Sequence, residues 1–254
     1  MSLHCIMHIQ LIYYFMDIIL LDTETTGIDE TSKLVQLAYK NLNSGEVVNE
    51  FFKPLIPISF GSMAVHHITN EMVADKPAFE GSDIKNTLAD ILKQNIMVAH
   101  NALFDMMILV NEGLNMGKYI DTLRVAKHVL NSEQYSMQYL RYSLGLKVTE
   151  VVAHDALGDI TVLEALFLYL KDIVKNKFKL SSDEAVYNKM MELTQTPVVL
   201  DKIQFGKYKG KSFGEIFTID RRYLEWLYGS ETQKIEIEQN EDLVHTLKEY
   251  LEVK

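Results

Sequence analysis

Cysteine is almost missing from this sequence of 254 residues, in which Cys5 is the single example. One cysteine excludes an intrachain disulfide framework and a cysteine-ligated zinc site. This usage is typical of proteins that work in a reducing compartment, so we expect a cytoplasmic protein without a structural metal. Internal repeats and low-complexity tracts are also missing.

Basic residues are outnumbered, because 25 Lys and Arg stand against 35 Asp and Glu and give a formal net charge of -10. This is the wrong sign for a protein held on nucleic acid by overall attraction, since phosphate contacts come from Lys and Arg. Any binding to nucleic acid must therefore be local, and we predict weak nonspecific affinity. Bound divalent cations would offset part of the negative charge.

Uninterrupted apolar runs long enough to cross a membrane are also lacking. Residues 9–21 are strongly apolar, but Asp17 interrupts them, and a membrane span needs about 20 such residues. No basic residue precedes Lys33 and no small-residue cleavage site follows the run, so a secretory signal is not indicated. We expect no membrane association, and we expect Met16 to be the functional start, with 1–15 as an N-terminal extension.

The periodicity from Met16 onward predicts an α/β fold with a mixed sheet and flanking helices. Strands are predicted at 18–22, 34–41, 47–52, 96–99 and 119–121, the first three pairing antiparallel. Helices are predicted at 83–94, 102–115, 123–130, 137–144 and 182–193. One further long helix should start near His154, because apolar residues recur at steps of three and four: Leu157, Ile160, Leu163, Phe167, Leu170 and Val174.

Acidic residues are placed at the end of the first predicted strand, where the sequence reads LDTETTG. Asp22 and Glu24 are two residues apart, so a β-strand puts both side chains on one face. Adjacent carboxylates repel each other, and a fold that keeps them together usually binds a cation there. Two later motifs, HNALFD and HDALGD, supply Asp105 and Asp159 as further candidate ligands.

The three motifs together resemble the DEDDh family of 3'-5' exonucleases, which includes proofreading subunits of the epsilon type. The family letters map in order onto Asp22, Glu24, Asp105, Asp159 and His154. The resemblance implies a ribonuclease H-like fold. It also implies a two-metal site in which the four carboxylates hold two Mg²⁺ ions, with Mn²⁺ as an alternative, and His154 acts as the general base.

Each of these residues has a plainer interpretation when it is taken alone. A lone Asp on a helix is usually solvated, and His100 or His154 alone would more often be a core or surface histidine. Asp105 differs, because its predicted helix is nearly apolar all round and a buried carboxylate needs a partner or a metal. The agreement of order, spacing and flanking residues favours the site.

Substrate contacts follow from the same resemblance. It implies that Thr23, Thr25, Asn101 and Phe104 lie near the terminal nucleotide, and a purely structural role is the alternative for each of them. The segment VHHIT resembles a family loop in which His66 would lie near the substrate, although His67 stands where the family has glycine. Asp121 is instead predicted to act as an N-cap of the helix that follows it.

The C-terminal sequence QFGKYKGKSFGEI, at 204–216, resembles the small C-terminal domain of the exonuclease X members of the family. Lys207, Lys209 and Lys211 are predicted to contact DNA, while the alternative is a turn with solvated lysines. The predicted domain organisation is an extension at 1–15, an exonuclease domain at 16–176, a linker at 177–199 and a small α+β domain at 200–254.

The sequence therefore predicts a metal-dependent 3'-5' exodeoxyribonuclease that releases nucleoside 5'-monophosphates from single-stranded DNA or frayed 3' ends, in DNA repair or turnover. An exoribonuclease of the same family is one alternative. A proofreading subunit bound to a DNA polymerase is another, although no polymerase-binding or clamp-binding segment is evident. An inactive nucleic-acid-binding module is disfavoured, because the set of five site residues is complete.

Overall fold

A computed structural model describes residues 16–148, 156–235 and 239–252 of the chain. The described residues form two compact units, one of 16–120, 146–148 and 156–165, the other of 121–145, 166–235 and 239–252. The strands are β1 (Ile18–Thr25), β2 (Leu34–Asn41), β3 (Val47–Phe51), β4 (Ile96–Ala99) and β5 (Lys118–Asp121). The helices are α1 (Phe60–His66), α2 (Asp83–Gln94), α3 (Ala102–Asn111), α4 (Thr122–Val129), α5 (Met137–Ser143), α6 (Ala156–Lys177), α7 (Asp183–Gln195), α8 (Phe213–Thr232) and α9 (Glu241–Leu251).

The five strands form one mixed sheet in the order β3-β2-β1-β4-β5. Strand β1 pairs antiparallel with β2 and parallel with β4, and β2 pairs antiparallel with β3. The predicted mixed sheet with an antiparallel start is therefore confirmed. Strand β1 is the central strand, with hydrogen-bonded neighbours on both sides.

Strand β1 extends three residues beyond its predicted end at Asp22. Thr23 pairs with Leu37 and Glu24 pairs with Gln36, and the register shifts only between Glu24 and Thr25. The prediction stopped early because an apolar run gives way to polar residues at this point. Pairing with β2 continues nevertheless, so the acidic pair lies within a central strand.

One face of the sheet packs against α2 and α3 in the first unit. Ile19 and Leu21 of β1 share a buried cluster with Leu88 of α2 and with Ile108 and Leu109 of α3. These alternate strand residues face the helices, as period-two geometry requires.

Helix α3 ends earlier than predicted, at Asn111 instead of residue 115. Gly113 has a φ of 83°, and its amide donates to the Val110 carbonyl at 2.9 Å. The Leu114 amide donates to the Leu109 carbonyl at 2.9 Å, which closes the helix end with a left-handed glycine.

Helix α6 confirms the long helix predicted from the apolar stripe. Its stripe is buried at Ile160, Leu163, Phe167, Leu170 and Val174, whereas Leu157 is 37% exposed. The predicted start near His154 lies outside the described residues. Among the helices that the structure describes, none is long and apolar enough to cross a membrane.

Helix α1 was not predicted, because His66 is its single buried residue and no apolar stripe marks it. The helix depends on local caps. The Ser59 side chain accepts from the Ser62 amide at 3.1 Å, and His67 ends the helix at a φ of 61°. This left-handed conformation favours glycine, the residue that the similar family loop has at the position of His67.

The His66 imidazole joins α1 to the end of β1. Its Nδ1 accepts from the Ile68 amide at 3.0 Å, and its Nε2 lies 3.1 Å from the Thr25 carbonyl oxygen. Because Nδ1 is an acceptor, the hydrogen bonds assign the ring proton to Nε2, which donates to Thr25. A neutral imidazole therefore satisfies both partners.

The second unit contains the C-terminal helices and the predicted cap. Asp121 accepts from the Leu123 amide at 2.9 Å, which confirms it as the N-cap of α4. Helices α8 and α9 pack through a cluster that includes Phe213, Leu224 and Leu247. The predicted α+β character is limited among the described residues, because the β component there is a single antiparallel bridge between Lys202 and Ser212.

The pKa of His66 gives a prediction about stability. Burial lowers this pKa below its ordinary value of about 6.5, so the unfolded chain binds the proton more readily than the folded chain. Stability from this group is complete above about pH 6.5 and is lost as the pH falls through the lowered pKa. We expect the free energy of unfolding to decrease more between about pH 7 and pH 5 in the native chain than in His66→Gln.

Urea denaturation of both proteins at the two pH values measures this difference. The glutamine does not titrate but keeps a donor for the Thr25 carbonyl. An equal pH dependence in the two proteins would show that His66 stays uncoupled from folding.

Candidate active site

Strand β1 presents two carboxylates on one face of the sheet. Asp22 and Glu24 are both half-buried, while Thr23 and Thr25, which alternate with them, are buried. Pairing with β2 includes Asp22, Thr23 and Glu24 and fixes the backbone there, whereas pairing with β4 ends at Leu20. Asp22 and Glu24 therefore project from a rigid support, as their spacing predicted.

Asp159 joins this pair from the first turn of α6. One carboxylate oxygen from each of Asp22, Glu24 and Asp159 lies within 4.8 Å of the other two. We call these three residues the acidic cluster. Asp159 is 7% exposed and lies at the N-terminal end of a 22-residue helix, where the helix dipole favours a negative charge.

The donor set of the acidic cluster fits a hard divalent cation. Three carboxylates this close repel one another, and a cation removes that repulsion. Oxygen ligands without His or Cys suit Mg²⁺, Ca²⁺ or Mn²⁺ and do not suit a thiolate metal.

Asp105 lies beside β1 but is not one of the three residues in the acidic cluster. It stands in the first turn of α3, is 4% exposed, and its Oδ1 accepts from the Thr23 hydroxyl at 2.8 Å. Thr23 separates Asp22 from Glu24 in the strand and faces the α3 side. Asp105, the fourth predicted ligand, is thus hydrogen bonded to the strand segment that carries Asp22 and Glu24.

The bond between Thr23 and Asp105 was not predicted from the sequence, which gave Thr23 either a substrate contact or a purely structural role. Strand alternation contained the signal, because a residue between Asp22 and Glu24 must point to the opposite face. That face is covered by α3, so the hydroxyl meets Asp105.

The other residues that the sequence predicts to contact the substrate near this site differ in exposure and in hydrogen bonding. The Thr25 hydroxyl donates to the Gly27 carbonyl at 2.6 Å, and His66 is engaged at both ring nitrogens. Asn101 is exposed and precedes α3 with a φ of 69°. Phe104 packs partly against the core. Their contacts with a substrate stay predictions.

His154 lies outside the described residues, so its role as a base stays a prediction from the sequence. The predicted DNA-contacting lysines lie in the second unit. Lys207 is 3.2 Å from a carboxylate oxygen of Asp220, while Lys209 and Lys211 are exposed.

Comparison with known proteins agrees with this geometry. A family profile described as Exonuclease matches residues 19–167, and a profile described as Exodeoxyribonuclease X-like C-terminal matches residues 203–231. The chain is 30% identical over 239 residues to Exodeoxyribonuclease 10 of Escherichia coli (strain K12), covering 92% of this chain and 98% of that protein.

Two further proteins match part of the chain. A DNA polymerase III subunit epsilon-like protein of Rhodobacter capsulatus is 34% identical over 170 residues, which cover 62% of this chain and 24% of that protein. A solved structure of exonuclease X in complex with 5' overhanging duplex DNA is 26% identical with a TM-score of 0.54. That match covers 70% of this chain and 99% of the solved chain.

The Exonuclease profile spans more than half of the chain and includes Asp22, Glu24, Asp105 and Asp159. The mixed sheet with flanking helices is the fold of these relatives. The chain therefore belongs to the exonuclease family of enzymes.

Proposed function

We propose that this protein is a metal-dependent 3'-5' exodeoxyribonuclease that removes nucleoside 5'-monophosphates from the 3' ends of single-stranded or frayed DNA. The observation that carries the proposal is the convergence of Asp22, Glu24 and Asp159 within 4.8 Å on a rigid strand and a helix N-terminus. DNA as the substrate is supported by the 30% identical relative, which is named an exodeoxyribonuclease.

Asp22, Glu24 and Asp159 of the acidic cluster would hold two Mg²⁺ or Mn²⁺ ions. When bound, such a pair of ions neutralises charge on the phosphate, activates the attacking water and stabilises the departing oxygen. The protein contributes rigid carboxylate positions, because β2 pairs with β1 at Asp22 and Glu24 and Asp159 is fixed in the first turn of α6. Asp105 would complete the ligand set.

His154 would act as the general base in this mechanism. An imidazole with an ordinary pKa of about 6.5 can accept a proton from the attacking water at neutral pH. His154 stands five residues before Asp159 in the sequence, which keeps the base close to a metal ligand along the chain.

Thr23 would act as a positioning residue for Asp105. A carboxylate with two oxygens can rotate, and the 2.8 Å bond from the Thr23 hydroxyl fixes one of them. Both groups are buried, so water does not replace this bond readily.

The function is tested with 5'-end-labelled strands of DNA and of RNA in Mg²⁺ or EDTA. We expect a ladder of shortened labelled products from DNA in Mg²⁺ and none in EDTA. Asp22→Asn should abolish the ladder, because it removes the negative charge of a predicted metal ligand and keeps the shape of the side chain. Asp75→Asn, an exposed residue with the same chemical change, serves as the control and should retain activity.

The same assay separates the alternatives. Immediate release of the labelled mononucleotide would contradict 3'-5' polarity, and preferential loss of RNA would support an exoribonuclease. A proofreading subunit is suggested by the epsilon-like relative, and co-purification of this chain with a polymerase would favour it.

Replacement of His154 tests the general base. We expect His154→Ala to lower turnover by roughly 10² to 10⁴ while the Mg²⁺ concentration for half-maximal activity stays unchanged. His245→Ala, a substitution of the same kind in α9, is the control. Turnover near the native value in His154→Ala would exclude the assigned role.

Replacement of Thr23 tests the positioning of Asp105. Thr23→Val keeps the branched shape and removes the hydroxyl, so we expect a loss of about 10- to 100-fold in metal affinity or activity. Thr23→Ser keeps the donor and should remain close to the native enzyme. Titration of activity with Mg²⁺ measures both variants, and indistinguishable curves for them would refute the role of the hydroxyl.

A further inference from the structure

A basic loop in the second unit differs in charge from the rest of the chain. Residues 202–211, which we call the basic loop, contain four lysines and no acidic residue, although the whole chain has a net charge of -10. The Ile203 amide donates to the Lys211 carbonyl at 3.0 Å, and the Gly210 amide donates to the Ile203 carbonyl at 2.8 Å. These bonds close the loop, so little conformational freedom remains to be lost when it binds a partner.

The basic loop is attached to α8 at a kink in that helix. Asp220 interrupts α8 with a φ of -154°, and it accepts from the Tyr208 hydroxyl at 2.8 Å and from Lys207 at 3.2 Å. These bonds hold the pKa of Asp220 below its ordinary value. Gly206 has a φ of 66°, and a Cβ there would lie 2.9 Å from the Tyr223 hydroxyl, so the loop approaches α8 closely.

A row of aromatic rings runs along this junction and ends in solvent. The ring centroids of Tyr208 and Tyr223 are 5.0 Å apart, and those of Tyr223 and Trp226 are 5.7 Å apart. Trp226 at the end of the row is 62% exposed, and Phe205 of the basic loop is 45% exposed. Phe205 also lines a groove of about 1080 Å³ in the same unit.

The carboxylates beside this aromatic row are neutralised. Asp220 is paired with Lys207, and Glu225 is paired with Arg221 at 2.8 Å. Three exposed lysines of the basic loop form no ion pair with any residue that the structure describes: Lys202, Lys209 and Lys211. The pKa of the Glu215 carboxyl is lowered by hydrogen bonds from Ser212 and also by the nearby charges of Lys211 and Lys202, so this carboxylate compensates part of the charge of these two lysines. The basic loop, which Tyr208 connects to the aromatic row, therefore has positive charge available for an anionic partner.

We propose that the basic loop and the row of Tyr208, Tyr223 and Trp226 form a second binding site for single-stranded DNA. Trp226 stacks on a base, and the unpaired lysines bind phosphates. The positive charge of the lysines favours a polyanion as the partner. An exposed indole favours unpaired bases, because every base has a π-face on which an aromatic ring can stack, whatever the sequence. The inference rests on the proposed function, since it assigns a substrate contact outside the acidic cluster.

The fluorescence of Trp226 provides a direct test, because it is the single tryptophan of the chain. The full-length protein is titrated with single-stranded oligodeoxythymidine in EDTA, so that no hydrolysis occurs. Stacking should quench the emission in a saturable manner. Inorganic polyphosphate has charge without bases and should leave the emission unquenched.

Variants then separate the indole from the lysines, with affinity measured by the anisotropy of a labelled strand. Trp226→Ala should weaken binding about 5- to 100-fold, whereas Trp226→Phe keeps a ring and should bind nearly as the native chain does. Replacing Lys209 and Lys211 by Ala should reduce the slope of log affinity against log salt by about 2. The matched control replaces Lys175 and Lys248, which are exposed elsewhere in the second unit.

Three results would overturn the inference: unchanged Trp226 emission at saturating DNA, equal quenching by polyphosphate, or native affinity in Trp226→Ala. A ladder of shortened DNA products in the nuclease assay, together with Trp226 emission that DNA does not change, would contradict the second binding site and leave the nuclease proposal intact. Quenching by DNA without any hydrolysis in Mg²⁺ would support the second site and defeat the nuclease proposal.

Discussion

Electrostatic repulsion among Asp22, Glu24 and Asp159 is the constraint on which the rest of the site depends. Their carboxylate oxygens lie within 4.8 Å of one another, a spacing that is unfavourable without a compensating positive charge. The sheet supports this arrangement, since Asp22 and Glu24 lie within the paired segment of β1 and β2. The dipole of α6 contributes a partial positive charge beside Asp159.

The surroundings of the acidic pair limit the movement of its strand. The Thr23 hydroxyl binds Asp105 of α3, and the His66 imidazole binds the Thr25 carbonyl at the strand end. Alternate residues of β1 therefore differ in role: Asp22 and Glu24 belong to the acidic cluster, whereas Thr23 between them attaches the strand to α3. Precise positioning of ligands on a strand and helices is what metal-assisted hydrolysis requires.

Periodic segments could be predicted from the sequence, and locally capped segments could not. Strand β2, helix α2 and strand β4 have the predicted bounds, because apolar spacing and flanking polar residues mark them. Helix α1 depends on the Ser59 cap and buries only His66, so it lacks a periodic signal. Of the four predicted ligands, Asp22, Glu24 and Asp159 converge, while the bond between Asp105 and Thr23 depended on which helix covers the opposite face of β1.

Anomalous diffraction from crystals of the full chain soaked in Mn²⁺ would measure directly whether the acidic cluster binds divalent cations. We expect two anomalous peaks at this site, with Asp22, Glu24 and Asp159 among their ligands. Fully occupied Mn²⁺ elsewhere in the crystal with no peak between these three carboxylates would contradict it.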